Sequence, residues 1–189
     1  PFIGRAELVV DLAARLTRPS DRLITLTGSG GVGKTRLALE VAHTVQSHYP
    51  HGAWFIDLAP LSDPLLVPQA VVTTLEIYHV PDRPALIDLL DRMRDKHILL
   101  VLDNCEHLVE ACAQLADQLL RHCPELRLLA TSREALGIQG ESSVRVPSLS
   151  LPVGEHLSPD VLVHSEAVQL FIDRATAVLP DFALTAANA

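Results

Sequence analysis

The sequence predicts an α/β protein built on a parallel sheet with helices on both faces, and three observations carry that expectation. Short apolar runs alternate with segments of helical periodicity along most of the chain. The middle runs are apolar nearly throughout, as strands covered on both faces must be. A glycine-rich loop joins the first run to the helix that follows it. Strands alternating with helices require right-handed crossovers and so a parallel sheet.

Residues 5–17 open the chain as an amphipathic helix, with Val9, Leu12, Ala13 and Leu16 on one face. The first strand is expected at Leu23–Thr27 (LITLT), and TRLALEVAHTV follows as a helix in which Leu37, Val41 and Val45 recur every fourth residue. A second strand is read at Ala53–Leu58. Segments 64–77 and 84–94 are helical in pattern, with Pro81 and Pro84 breaking the chain between them. The third strand is His97–Leu102. Leu108, Cys112, Leu115 and Leu119 then mark a helix expected to begin near Glu106. Leu126–Thr131 is the fourth strand and Ser143–Val146 a weaker fifth. A proline-rich connector, VPSLSLPVGEHLSP, precedes SEAVQLFIDRATAVL, a helix with Ser165 as its N-cap and Pro180 beyond its end. A domain boundary is expected near residues 150–160.

Aromatic residues make up 4% of the 189, so Leu, Val, Ile and Ala must build the interior. Net charge is −8, from 23 acids and 15 bases, and no basic block is present; direct nucleic-acid binding by this segment is therefore not expected. No apolar run approaches the roughly 18 residues of a membrane span, and no signal-peptide pattern opens the chain. The first residue is a proline, so the natural start is expected upstream. Cys105, Cys112 and Cys123 are read as reduced thiols of a cytoplasmic protein. With His107 and His122 they form no metal-ligand spacing.

The most specific local signal is Gly28-Ser29-Gly30-Gly31-Val32-Gly33-Lys34-Thr35, which matches G-x-x-x-x-G-K-[ST]. Its glycines let the backbone curl with N–H groups facing inward, a nest of donors for phosphate oxygens. Lys34 can reach the β- and γ-phosphates, and the Thr35 hydroxyl can ligate Mg²⁺. Arg36 follows in the first turn of a helix whose positive dipole end adds to the site. A strand before and a helix after supply the context this chemistry needs.

Residues 99–107 read LLVLDNCEH. An apolar strand ending in aspartate can hold the same Mg²⁺, which makes Asp103 the second metal-side residue. Fast nucleotide hydrolases often place another acid directly after it; here that place is Asn104, which cannot accept a proton as a carboxylate does. Glu106 is the nearest acid and the candidate base. The competing reading makes it a first-turn helix acid favoured by the dipole. His107 is a weaker candidate, expected to be exposed or packed. Arg133 follows the fourth strand in ATSRE, where sites of open α/β sheets form, and its fixed fork of donors suits a γ-phosphate oxygen.

Together these stretches resemble the STAND class of P-loop NTPases, near its NB-ARC and AP-ATPase branch, as in the ATPase modules of bacterial LuxR-type and SARP-type transcriptional regulators. The resemblance rests on FIGR at 2–5, TLTGSGGVGKTRLALEVA at 25–42, LLVLDNCEHL at 99–108 and LLATSREALGIQGE at 128–141. It implies a three-layer sandwich around a five-stranded parallel sheet of order 5-1-4-3-2. It implies a nucleotide-binding domain over 1–155, whose first 20 residues carry the motif Phe2-Ile3-Gly4-Arg5, with Ile3 and Arg5 against the adenine. Residues 156–189 become the connector and first helix of a truncated helical lid. Arg133 matches the class's sensor arginine. The implied ligands are ATP, ADP and Mg²⁺; the implied partners are lid, sensor and DNA-binding domains of a longer chain, with room for nucleotide-dependent self-association. The expected function is a regulatory switch with slow ATP hydrolysis. The alternative is a fast AAA+-like ATPase that remodels a partner. A GTPase is disfavoured, because no [NT]-K-x-D guanine motif is present.

Overall fold

A computed structural model describes residues 1–78, 80, 82–152, 154 and 158–185. Strands β1 (Leu23–Thr27), β2 (Ala53–Asp57), β3 (Leu99–Asp103), β4 (Arg127–Ser132) and β5 (Glu141–Arg145) form one sheet. All four pairings are parallel and the order is β2-β3-β4-β1-β5. Read from the other edge, this is the 5-1-4-3-2 order implied by the resemblance. The three central strands are almost wholly buried, whereas β5 at the edge is half exposed. That explains why the fifth strand gave the weakest signal: only one face and one neighbour constrain it.

The strand residues divide by their period of two between the faces. Leu100, Leu102, Leu128 and Ala130 join α3 (Val67–Thr74), α4 (Ala85–Met93) and α5 (Val109–His122) in one apolar cluster. The alternate residues Leu99, Val101 and Leu129 serve the opposite face, where α2 (Lys34–Val45) lies against β1, β3 and β4. Helix α1 (Ala6–Leu16) buries Val9, Leu12 and Leu16, and the Tyr49 hydroxyl donates to the Leu16 carbonyl at 2.8 Å. The end of α5 is closed by Arg22, whose guanidinium donates to the carbonyls of Leu120 and Cys123 at 2.8 and 2.6 Å. These are carbonyls with no helical partner, and a cation suits that end of the dipole.

Three local expectations need correction. The segment 64–77 is not one helix: a 3-10 turn at Pro64–Leu66 leads into α3, which ends at Thr74. Asp63 accepts from the Leu65 N–H at 3.0 Å and nucleates that turn, while Glu76 at φ 52 stops the helix. The helix expected near Glu106 begins at Val109, after a separate 3-10 turn at Cys105–His107. Ser165 occupies the N-cap position of α7 (Glu166–Val178) but does not cap it; its hydroxyl donates to the Ser150 carbonyl at 2.6 Å. The Ser150 hydroxyl instead accepts from the Glu166 N–H at 3.0 Å. Pro81 lies outside the described residues, as do Val153 and residues 155–157 of the connector, including the expected boundary at 155–156.

Backbone contacts divide the chain into two compact units, Leu8–Val146 and a smaller one of Pro1–Glu7 with Pro147–Ala189. The larger holds the sheet and α2–α5. The smaller holds α6 (Pro159–Leu162) and α7. Among the described residues no helix is long and apolar enough to cross a membrane.

Candidate nucleotide site

The order of the sheet sets β1, β4 and β3 side by side, so the loops leaving their carboxyl ends meet. The loop after β1 curls through Gly28 at φ 148, Gly31 at φ 77 and Gly33 at φ 92, conformations that side-chain-bearing residues rarely adopt. Gly33 then opens α2. Lys34 is folded back over this loop and only 8% exposed; its ammonium donates to the carbonyls of Gly28 and Ser29 at 3.0 and 3.2 Å. Its charge is thus held at the mouth of the loop by the loop itself.

Beside it, the Thr35 hydroxyl donates to Asp103 Oδ2 at 3.1 Å. The other carboxylate oxygen, Oδ1, accepts from the Thr131 hydroxyl at 2.6 Å, and that hydroxyl accepts from the Asn104 N–H at 2.9 Å. Thr131, near the end of β4, therefore fixes both the aspartate and the turn that follows it. Sequence reading missed this residue: its hydroxyl acquires meaning only once β4 is known to lie beside β3. Thr131→Val keeps the shape and removes both bonds. It should destabilise the fold by about 1–3 kcal/mol, since a buried carboxylate oxygen and a part-buried N–H lose their partner. A urea titration reads this directly, and an unchanged midpoint would show the network to be dispensable.

Asn104 sits at φ 64, ψ 49, a left-handed conformation that Asn tolerates better than most residues. Its carboxamide nitrogen lies 3.3 Å from His107 Nδ1, and His107 Nε2 lies 2.8 Å from the Leu61 carbonyl. A carbonyl only accepts, so Nε2 carries the proton and Nδ1 accepts from Asn104. His107 is thus a strut between two loops. Asn104 offers the cleft no group that could take up a proton.

Glu106 Oε1 accepts from Arg133 Nε at 3.3 Å. A cleft of about 340 Å³ is bounded by the phosphate loop, Arg36, Asn104, Glu106, Thr131 and Arg133. The fold therefore gathers Lys34, Thr35, Asp103, Glu106 and Arg133 at one place. The Cys105 thiol is raised well above the ordinary range by its hydrogen bond with Cys112 and by burial; all three cysteines are buried and free. Among the described residues no cluster of His, Cys, Asp and Glu has metal-binding geometry. The oxygens of Thr35 and Asp103, 3.1 Å apart, are of the hard type that could hold Mg²⁺ if phosphates supplied the rest of its shell.

Ile3 and Arg5 belong to the smaller unit. There the Arg5 N–H donates to Glu166 Oε1 at 2.6 Å, the Arg5 guanidinium donates to the Pro147 carbonyl at 2.8 Å, and the Ser150 N–H donates to Glu166 Oε2 at 3.0 Å. Gly4 sits at φ 75, strained for any side-chain-bearing residue, and a Cβ there would stand 2.7 Å from the Glu166 carboxylate, which would have to shift. These N–H donors, the Arg5 amide first, hold the Glu166 carboxyl below its ordinary range. A carboxylate with a lowered folded value stabilises at pH above its unfolded value, and that contribution is lost as pH falls through the folded value. Protection of the Arg5 and Ser150 amides against hydrogen exchange should accordingly fall on acidification below the ordinary carboxylate range. Protection factors that stay level would show that the clasp does not depend on the charge.

Residues 5–135 match the NB-ARC domain family. The chain is 40% identical over 188 residues to an uncharacterized protein of Mycobacterium tuberculosis, covering 100% of this chain and 44% of that protein. It is 43% identical over 169 residues to another M. tuberculosis protein, provisionally named an HTH-type transcriptional regulator, covering 89% of this chain and 18% of that one. The chain thus spans less than half the length of these relatives. Among solved structures it is similar to a Signal Transduction ATPase with Numerous Domains (STAND) protein with a tetratricopeptide repeat sensor from Pyrococcus horikoshii. There the TM-score is 0.54 and identity 14%, over 94% of this chain and 28% of that one.

Proposed function

The chain belongs to the NB-ARC domain family, within the STAND class of P-loop NTPases, and on that premise we propose that it is an ATP- and ADP-binding switch with slow Mg²⁺-dependent hydrolysis. The observation that carries this reading is the convergence of Lys34, Thr35 and Arg133 on one cleft, the Thr35 hydroxyl bonded to the Asp103 carboxylate, with a neutral Asn104 where fast hydrolases place an acid.

In this reading the N–H groups of Gly28, Ser29, Gly30, Gly31, Val32 and Gly33 take the phosphates. Lys34 exchanges its carbonyl partners for phosphate oxygens, a stronger charge-assisted pairing. Thr35 and Asp103 hold Mg²⁺, which offsets the negative charge of the phosphates when bound. Arg133 reads the γ-phosphate, and Ile3 and Arg5 are assigned to the adenine by the resemblance of their motif. A nucleotide moves an equilibrium between two conformations only by binding them unequally. The γ-phosphate contact is what distinguishes ATP from ADP. The cytoplasmic setting, the output in transcription control, and the lid, sensor and DNA-binding partners are part of the same proposal, supported by the regulator among the relatives. Isothermal titration with ATP and GTP tests the adenine assignment: ATP should bind more tightly, and equal affinities would reject it.

A further inference from the structure

The acid nearest the strand aspartate is already engaged. Glu106 Oε1 accepts from the Nε edge of Arg133, while Glu106 Oε2 is buried and has no hydrogen-bond partner. A general base must present a lone pair to the attacking water. Here one oxygen is taken and the other is shut away from solvent.

The guanidinium shows the complementary arrangement. Its side chain is 69% exposed, against 17% for Glu106, so little besides this contact fixes it. Yet its terminal Nη2 lies on the side of the phosphate loop, 3.7 Å from where a Cβ on Gly30 would stand. The carboxylate grips the inner edge of the fork, and the free end of the fork is turned toward the loop. An exposed arginine samples many rotamers, and ordering it when a ligand binds weakens that binding.

We propose that Glu106 is a positioning residue for Arg133. It holds the guanidinium with its terminal nitrogens toward the site of the γ-phosphate, and through that arginine sets the preference for ATP over ADP. The inference rests on the reading that this site takes ATP with Arg133 at its γ-phosphate. It assigns Glu106 to recognition of the ligand, and places the acid's absence at position 104 beside an acid at 106 that serves another purpose.

The test is titration of the intact protein, in Mg²⁺, with ADP and with the β,γ-imido analogue of ATP, together with single-turnover hydrolysis of ATP. Glu106→Ala should lower the preference for the triphosphate by about three- to tenfold, the scale of ordering one rotamer-rich side chain. Glu106→Gln should lower it less, because a carboxamide oxygen still accepts from Nε. Neither change should add to the effect of Arg133→Ala. A base would behave differently: Gln and Ala would abolish turnover alike and leave the preference at its wild-type value, and that result overturns the proposal. If Arg133→Ala itself leaves the preference unchanged, the sensor reading beneath it fails instead.

Discussion

Lys34→Ala is expected to weaken ATP and ADP together, by roughly 3 kcal/mol or more, a loss of about a hundredfold or greater. Lys34 is only 8% exposed, and its ammonium is held by the Gly28 and Ser29 carbonyls at the mouth of the loop. It is thus positioned before any phosphate arrives, and few rotamers have to be fixed on binding. Alanine removes that charge and with it the charge-assisted bond to the phosphate oxygens. Both nucleotides carry a β-phosphate, so both should suffer. Isothermal titration checks this, with far-UV circular dichroism to confirm the fold. Binding at wild-type affinity would remove Lys34 from the site.

Arg133→Ala should act on ATP alone. A guanidinium at the γ-phosphate forms a charge-assisted bond that ADP cannot form, so the expected loss is about ten- to a hundredfold for ATP and close to none for ADP. The contrast with Lys34 is the informative part. On the proposed reading, one cation contacts the phosphates that both nucleotides share, and the other contacts the one that differs. Equal losses for the two nucleotides would reject the sensor role of Arg133.

How much of this was legible in the sequence depends on range. The phosphate loop was fully legible, since its chemistry needs glycines and a lysine at fixed spacing along one stretch. The β1 limits coincide with the apolar run, and the other strands shift by one or two residues at their ends, where periodicity carries least information. The order of the sheet was not in the periodicity; it came from the resemblance. Everything that depends on that order was consequently hidden. Thr131 and Asp103 lie 28 residues apart in the chain, and Glu106 and Arg133 lie 27 apart. Only the adjacency of β3 and β4 makes partners of them. Glu106 itself was placed one element too far along, because the 3-10 turn at Cys105–His107 mimics the start of a helix. The left-handed turn at Asn104 was a signal available in principle, since Asn is among the few residues that favour it. Its pairing with His107 was not.

The proposed function makes a neutral residue after Asp103, and an acid at 106 held by an arginine, the marks of a site that keeps its nucleotide. Single-turnover hydrolysis of ATP in Mg²⁺ by the intact protein tests that most directly. A switch of this kind should hydrolyse bound ATP slower than about 10⁻² s⁻¹, near the intrinsic rates of P-loop switches that lack an activating partner. Turnover of about 1 s⁻¹ or faster, in the ordinary range of enzymes, would contradict it and favour the fast AAA+-like alternative.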